Sequence, residues 1–181
     1  MIPVTVQAFI SAPREEIFGF IADYGARPAW CDHFMKDYRL AHPDASGEGA
    51  GARYLLDAPG WKHYAEVTIV EADAPRRLVE RLHGGRNGRT RGEIVWELSR
   101  EGQGLTRVEV KFATQPGTPR EAFKEKFGSQ GWTKRQLKTA LERLRVIFEE
   151  QPSGPLARAS IAGYETMRAP RFGVSPKVVR G

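Results

Sequence analysis

Leu137, Leu141, Leu144 and Phe148 recur at intervals of four, three and four residues, which places them on one face of an α-helix. Lys134, Arg135, Lys138, Glu142, Arg143 and Glu149 fall on the opposite face. The pattern predicts an amphipathic helix of about four to five turns over 132–150. Phe123 and Phe127 extend the apolar stripe upstream. Gly128 and Gly131 interrupt it, and each glycine costs roughly 1 kcal/mol against alanine inside a helix, so a kink or break is expected there. Such a helix needs a large apolar partner, and what precedes it reads almost entirely as strand.

Val4, Val6, Ala8 and Ile10 alternate with Thr5, Gln7 and Phe9, a period-2 strand with one apolar face. Ser11-Ala12-Pro13-Arg14-Glu15-Glu16 follows, with a capping serine, a proline in the first turn and acids at the positive end of a short helix. Its buried side is Ile17, Phe18 and Ile21. After the break at Tyr24-Gly25-Ala26-Arg27, a second short helix is expected over 28–34, carrying Trp30 and Phe34. Strands are then predicted over 36–41, 52–57, 61–69 and 78–83, with Pro59-Gly60 as a turn and Asn87-Gly88 as a hairpin signal. Ile94, Trp96 and Leu98, then Thr106, Val108, Val110 and Phe112, alternate with charged or polar neighbours, as half-buried antiparallel strands do.

The order is strand, two short helices, six strands in hairpins, long helix. In two layers this is an α+β fold, a seven-stranded antiparallel sheet curled around one amphipathic helix. One helix cannot fill a strongly twisted sheet along its whole length, so a cavity between sheet and helix is expected.

Composition narrows the classes. The 181 residues are most simply one domain, 40% apolar, with mean hydropathy −0.48. No window approaches a membrane span, and Met1-Ile2-Pro3-Val4 does not open like a signal peptide. Cys31 is the sole cysteine, which fits a reducing cytoplasm. The net charge of +6 is uneven: residues 151–181 hold five cations against Glu165. The chain therefore divides into a near-neutral domain at 1–150 and a basic, proline-containing tail at 151–181. Pro152, Pro155, Pro170 and Pro176 argue against a continuous helix in that tail, so extended chain is expected.

Several stretches together resemble the START-like (SRPBCC) helix-grip superfamily: Ile10 to Tyr24 with its Ser-Ala-Pro helix start, Pro28-Ala29-Trp30, Ala74-Pro75-Arg76-Arg77-Leu78, Gly104-Leu105-Thr106-Arg107-Val108, and the Arg135-Gln136-Leu137 helix. The likeness covers residues 3–150, and the bacterial polyketide cyclase/dehydrase-like branch looks closest. It implies a curved seven-stranded sheet gripping the C-terminal helix, with two short helices after the first strand. On function it is broad, because members include lipid carriers, polyketide cyclases and dehydrases, hormone receptors, chaperone co-factors and quinone-binding proteins. Residues 151–181 have no counterpart in that pattern.

Candidate chemistry follows from strand parity. If Leu78 and Leu82 face inward, Glu80 does too, a candidate general acid or base beside an apolar cavity. The alternative is a solvated edge carboxylate, or one paired with a nearby arginine. His63 shares parity with Trp61, and Tyr54 with Leu56. These could serve proton transfer in aldol cyclisation and dehydration, or simply orient a ligand. The expected ligand-lining set is Trp30, Phe34, Tyr54, Trp61, His63, Glu80, Trp96, Phe112, Phe127 and Trp132. Phe123, Phe127 and Trp132 could gate the cavity, or pack on the sheet. Arg86, Arg89 and Arg91 could meet an anion at its mouth, or be solvated at a hairpin tip. Cys31-Asp32-His33 is no relay, since successive helical residues point about 100° apart. The histidines at 33, 42, 63 and 83 lack metal-ligand spacing, and no phosphate-cradling glycine loop follows a strand. Neither a metal nor a cofactor is expected.

The leading expectation is a cytoplasmic protein that binds a hydrophobic small molecule, such as a lipid, quinone or aromatic polyketide, between sheet and helix. A polyketide cyclase/dehydrase enzyme is the first alternative. The second is an interaction module whose basic tail binds an acidic partner or nucleic acid, which the near-neutral domain argues against. Homodimerisation is left open.

Overall fold

A computed structural model of the chain describes residues 3–58, 61–84, 90–115, 130–150 and 154–161. Strand β1 (Val4–Ile10) leads into helix α1 (Arg14–Ala22), a 3-10 turn at Tyr24–Ala26 and helix α2 (Pro28–Cys31). Then come β2 (Met35–Leu40), β3 (Gly51–Ala58), β4 (Trp61–Asp73), β5 (Arg77–Gly84), β6 (Thr90–Gly102) and β7 (Leu105–Gln115). Helix α3 (Gln130–Glu149) and a two-residue strand β8 (Ser160–Ile161) complete the described elements.

The sheet order is β1-β7-β6-β5-β4-β3-β2-β8, so consecutive strands from β2 to β7 are hairpin neighbours and β1 closes onto β7. All of these pairs are antiparallel; β8 alone joins parallel, to β2. The expected α+β helix-grip architecture is thus present, with eight strands among the described residues rather than seven. The extra strand was not readable because two residues, Ser160 and Ile161, carry no period. They pair only because the outer edge of β2 offers backbone groups at Arg39 and Leu40.

Period 2 decides which face is buried. Val4, Val6 and Ile10 are buried on β1 while Phe9 on the other face is 47% exposed. Ala65, Val67 and Ile69 are buried on β4 while Lys62, Tyr64, Glu66 and Thr68 are exposed. Helix α3 lies against the inner face through Leu137, Ala140, Leu141 and Leu144. Burying each leucine contributes roughly 1.5–3 kcal/mol, so α3 is held by packing rather than propensity. Phe148, half-buried, meets Phe20 of α1 edge to face at 5.6 Å.

Two local expectations are corrected. Ser11 does not cap α1: Pro13 holds the N-cap position without a side-chain bond, while the Ser11 amide donates to Glu149 Oε1 at 2.9 Å. Ser11 lies two residues before the cap, too far back to reach the first free amides. Helix α2 ends at Cys31 rather than at residue 34, because the chain turns there to start β2. The break expected at Gly128 and Gly131 falls at the edge of the described residues, where Gly131 lies within α3. Gly128, Phe123 and Phe127 lie outside the described residues.

Leu141 is 1% exposed, so Leu141→Ala should lower unfolding free energy by about 2–5 kcal/mol. Lys138→Ala, on the wet face, should change it by no more than about 0.5 kcal/mol. Urea denaturation of the two variants checks the orientation of α3.

Candidate functional site

Glu80 is the charged residue that the inner face of the sheet has to accommodate. It stands on β5 opposite Ile69 of β4 and Ile94 of β6, and is 0% exposed. Its partner is Arg27, 2% exposed, from the junction between the 3-10 turn and α2. One guanidinium nitrogen, Nη2, donates to Glu80 Oε1 and to the Ile21 carbonyl, the latter at 3.1 Å. The Trp96 indole, one diagonal step away on β6, donates to Glu80 Oε2 at 3.0 Å. Both carboxylate oxygens are therefore engaged.

Aromatic rings enclose this pair. The guanidinium carbon lies 5.0 Å from the Tyr24 ring centroid, 4.9 Å from Trp30 and 5.5 Å from Trp96, cation–π distances that partly replace lost hydration. Trp30 and Trp96 meet edge to face at 5.6 Å, and Tyr38 of β2 stacks on Tyr54 of β3 at 5.7 Å. The Nε of Arg27, the Nε1 of Trp30 and the Tyr38 hydroxyl are buried without a hydrogen-bond partner. Folded proteins rarely leave such groups unmet.

Electrostatics sort the chemistry. Burial, first, and the Glu80 charge push the Tyr24 and Tyr54 hydroxyls above their ordinary range. Burial also raises Tyr38, against the opposing pull of Arg27. Desolvation alone would lower Arg27, but Glu80 reverses it and holds the guanidinium protonated. The tyrosines are thus neutral O–H groups, and Cys31, raised by its burial, is a thiol rather than a thiolate. The centre can donate hydrogen bonds to an oxygen. It offers no free anionic base.

The expected lining residues divide. Trp30, Tyr54, Glu80 and Trp96 come together at this centre, all within 2% exposure. Phe34 is buried and meets half-buried Trp132 edge to face at 6.1 Å. His63, half-buried, pairs with Leu56 across β4 and β3, removed in register from Glu80. Phe112 is half-buried on β7 opposite Val4. Trp61 begins β4, but its side chain, like all of Phe127, Arg86 and Arg89, is outside the described residues; Arg91 is exposed. Cys31, Asp32 and His33 go separate ways: Cys31 into the core, Asp32 to Arg143, and His33 to the Gln136 carbonyl at 3.1 Å. Among the described residues no group of three His, Cys, Asp or Glu could hold a metal ion, and no described helix is long and apolar enough to cross a membrane.

Arg27, Tyr24 and Tyr38 were not among the expected site residues. The available signal was indirect: a glutamate at an inward strand position requires a cation, and Arg27 precedes the Pro28-Ala29-Trp30 turn.

Residues 1–149 match the family model described as "Polyketide cyclase / dehydrase and lipid transport". No curated protein matches the sequence. Among solved structures, the KanY protein (ms6282) aligns with a TM-score of 0.66 at 19% identity, covering 82% of this chain and 97% of that one. The protein TTHA0849 from Thermus thermophilus aligns at 0.64 and 18%, covering 83% and 99%. A START superfamily protein from Mycobacterium smegmatis aligns at 0.61 and 14%, again covering 83% and 99%. These likenesses show a shared fold.

The buried pair and the half-buried histidine each give a measurable expectation. Glu80→Leu or Arg27→Met alone strands a buried charge and should cost about 3–5 kcal/mol, while the double variant should recover much of that loss; a denaturant double-mutant cycle measures it. His33 has its pKa lowered below 6.5, chiefly by burial. On acidification the unfolded chain takes up that proton first, so the stability contribution is complete above about pH 6.5 and is lost as pH falls. His33→Gln should flatten the fall in stability between about pH 7 and pH 5, read by urea midpoints.

Proposed function

The chain belongs to the polyketide cyclase/dehydrase and lipid transport family, matched over residues 1–149, and from that premise we propose that it binds a hydrophobic, ring-containing small molecule between the sheet and α3. The observation that carries this reading is the set of unmet buried donors around the Arg27–Glu80 pair. Arg27 Nε and Trp30 Nε1 can only donate, and the Tyr38 hydroxyl can do so. A ligand that satisfies them brings an oxygen acceptor on an apolar frame, as an aromatic ketone or quinone does. A saturated hydrocarbon chain alone would leave the donors unmet.

The cyclase/dehydrase reading has one observation in its favour: neutral tyrosine hydroxyls lie beside a buried carboxylate, an arrangement suited to protonating a carbonyl oxygen. Against it, both oxygens of Glu80 already accept hydrogen bonds. Binding without turnover is therefore favoured.

Native mass spectrometry of freshly purified protein, with organic extraction, should find a bound hydrophobic molecule carrying at least one carbonyl. In titrations followed by tryptophan fluorescence, Trp30 and Trp96 should report binding of polycyclic ketones and quinones. Tyr38→Phe should weaken that binding about tenfold, the loss of one good hydrogen bond. A protein that purifies empty and ignores ketones, quinones and fatty acids alike sinks the binding reading. Turnover of a polyketide substrate abolished by Tyr38→Phe with binding intact would establish the enzyme instead.

A further inference from the structure

The 3-10 turn that carries Tyr24 and delivers Arg27 is anchored by the Ala45 carbonyl of the β2–β3 loop, which accepts from the Tyr24 amide at 2.8 Å, and is held further from inside and outside. On the inside, Arg27 reaches Glu80 and the Ile21 carbonyl. On the outside, residues 154–161 run across it. Arg158 Nη2 meets Asp23 Oδ2 at 2.9 Å, and the same carboxylate accepts from the Gly25 amide through Oδ1 at 2.8 Å, capping the turn. The Ala159 amide donates to the Gly25 carbonyl at 2.8 Å. One residue further, Ser160 and Ile161 pair in parallel with Arg39 and Leu40, and Arg39 donates to the Ser160 hydroxyl. Gly25 shows how close the fit is: a Cβ there would lie 2.7 Å from Arg158 Nη2 and 2.8 Å from Asp23 Oδ1.

These residues lie beyond the 1–149 that match the family. We propose that 154–161 is a strap, added by this chain to the family domain, that fastens the turn bearing Tyr24 and Arg27 and keeps the buried polar centre closed. The strap itself is mostly exposed and is held by a few polar contacts, the profile of a segment that opens locally at far lower cost than the core. The turn beneath it is fully buried, with Tyr24 at 0% and Ala26 at 2% exposure. Release of the strap therefore uncovers the outer side of the turn without dismantling the sheet. Closure stands on these contacts alone; its consequence for ligand exchange rests on the proposed binding at the centre.

Cys31 supplies the readout. It is the sole cysteine, is 2% exposed, and its amide bonds to the Arg27 carbonyl at 3.0 Å, so it becomes accessible when the turn and α2 lift. Full-length protein is treated with 5,5′-dithiobis(2-nitrobenzoate) under native conditions. The Arg158→Ala/Ala159→Pro double variant, which removes the ion pair and the amide donor, should label at least tenfold faster than the parent. Gly25→Ala, which pushes against the strap from the other side, should also label faster. Lys111→Ala on the outer sheet face should label at the parent rate. Equal rates in parent and strap variants overturn the proposal. So does faster labelling that falls on the same denaturant dependence as global unfolding, since the strap would then be only a stabiliser. Stopped-flow release of a bound polycyclic quinone should quicken in the same variants. A quinone that never binds, with Cys31 labelling still accelerated, refutes the binding reading and leaves the strap standing.

Discussion

Arg27 and Glu80 sit in the interior together because neither could be there alone. Taking each ion out of water costs several kcal/mol after relaxation, and the cost is offset only by tight mutual geometry and further hydrogen bonds. Trp96 and the Ile21 carbonyl supply those bonds, while Tyr24, Trp30 and Trp96 supply π faces to the guanidinium. The pair spans 53 residues of sequence. It clips the turn and α2 onto the middle of the sheet, and the positions of Tyr24, Trp30 and Cys31 depend on it.

That constraint also shapes what the interior can do. A closed, low-dielectric aromatic box keeps the phenols neutral and the guanidinium charged, so the centre is rich in donors and poor in free acceptors. Such a centre underlies the proposal of a ligand that presents an oxygen on an apolar frame. The family domain supplies the box. The segment after α3, beyond the matched residues, adds an outer fastening at Asp23 and Gly25. Inner and outer contacts therefore converge on one short turn, which joins the segment after α3 to the interior.

What was legible beforehand is what backbone geometry repeats. A strand turns successive side chains to opposite faces, so Leu78, Glu80 and Leu82 could be placed inward together, and the structure buries all three. A helix repeats near every third and fourth residue, so Leu137, Leu141 and Leu144 could be assigned to one buried face of α3. Tyr54 and Trp96 could be placed inward on the same strand grounds, and both are buried. His63 had the right parity, but parity says nothing of position along a strand, and it stands well away from Glu80 in register.

Sequence periodicity by itself determined the strand faces and the inward carboxylate, because each is set by local repeat geometry within one element, while the order of elements and the helix-grip resemblance determined the fold class. Only the tertiary structure decided that Glu80 is paired, that Arg27 in a Gly-Ala-Arg-Pro turn is buried rather than solvated, and that Ser160 and Ile161 complete the sheet as an eighth strand. The physical reason is common to all three. A charge far away in sequence, or an open strand edge, acts through space and leaves no period in the chain that meets it.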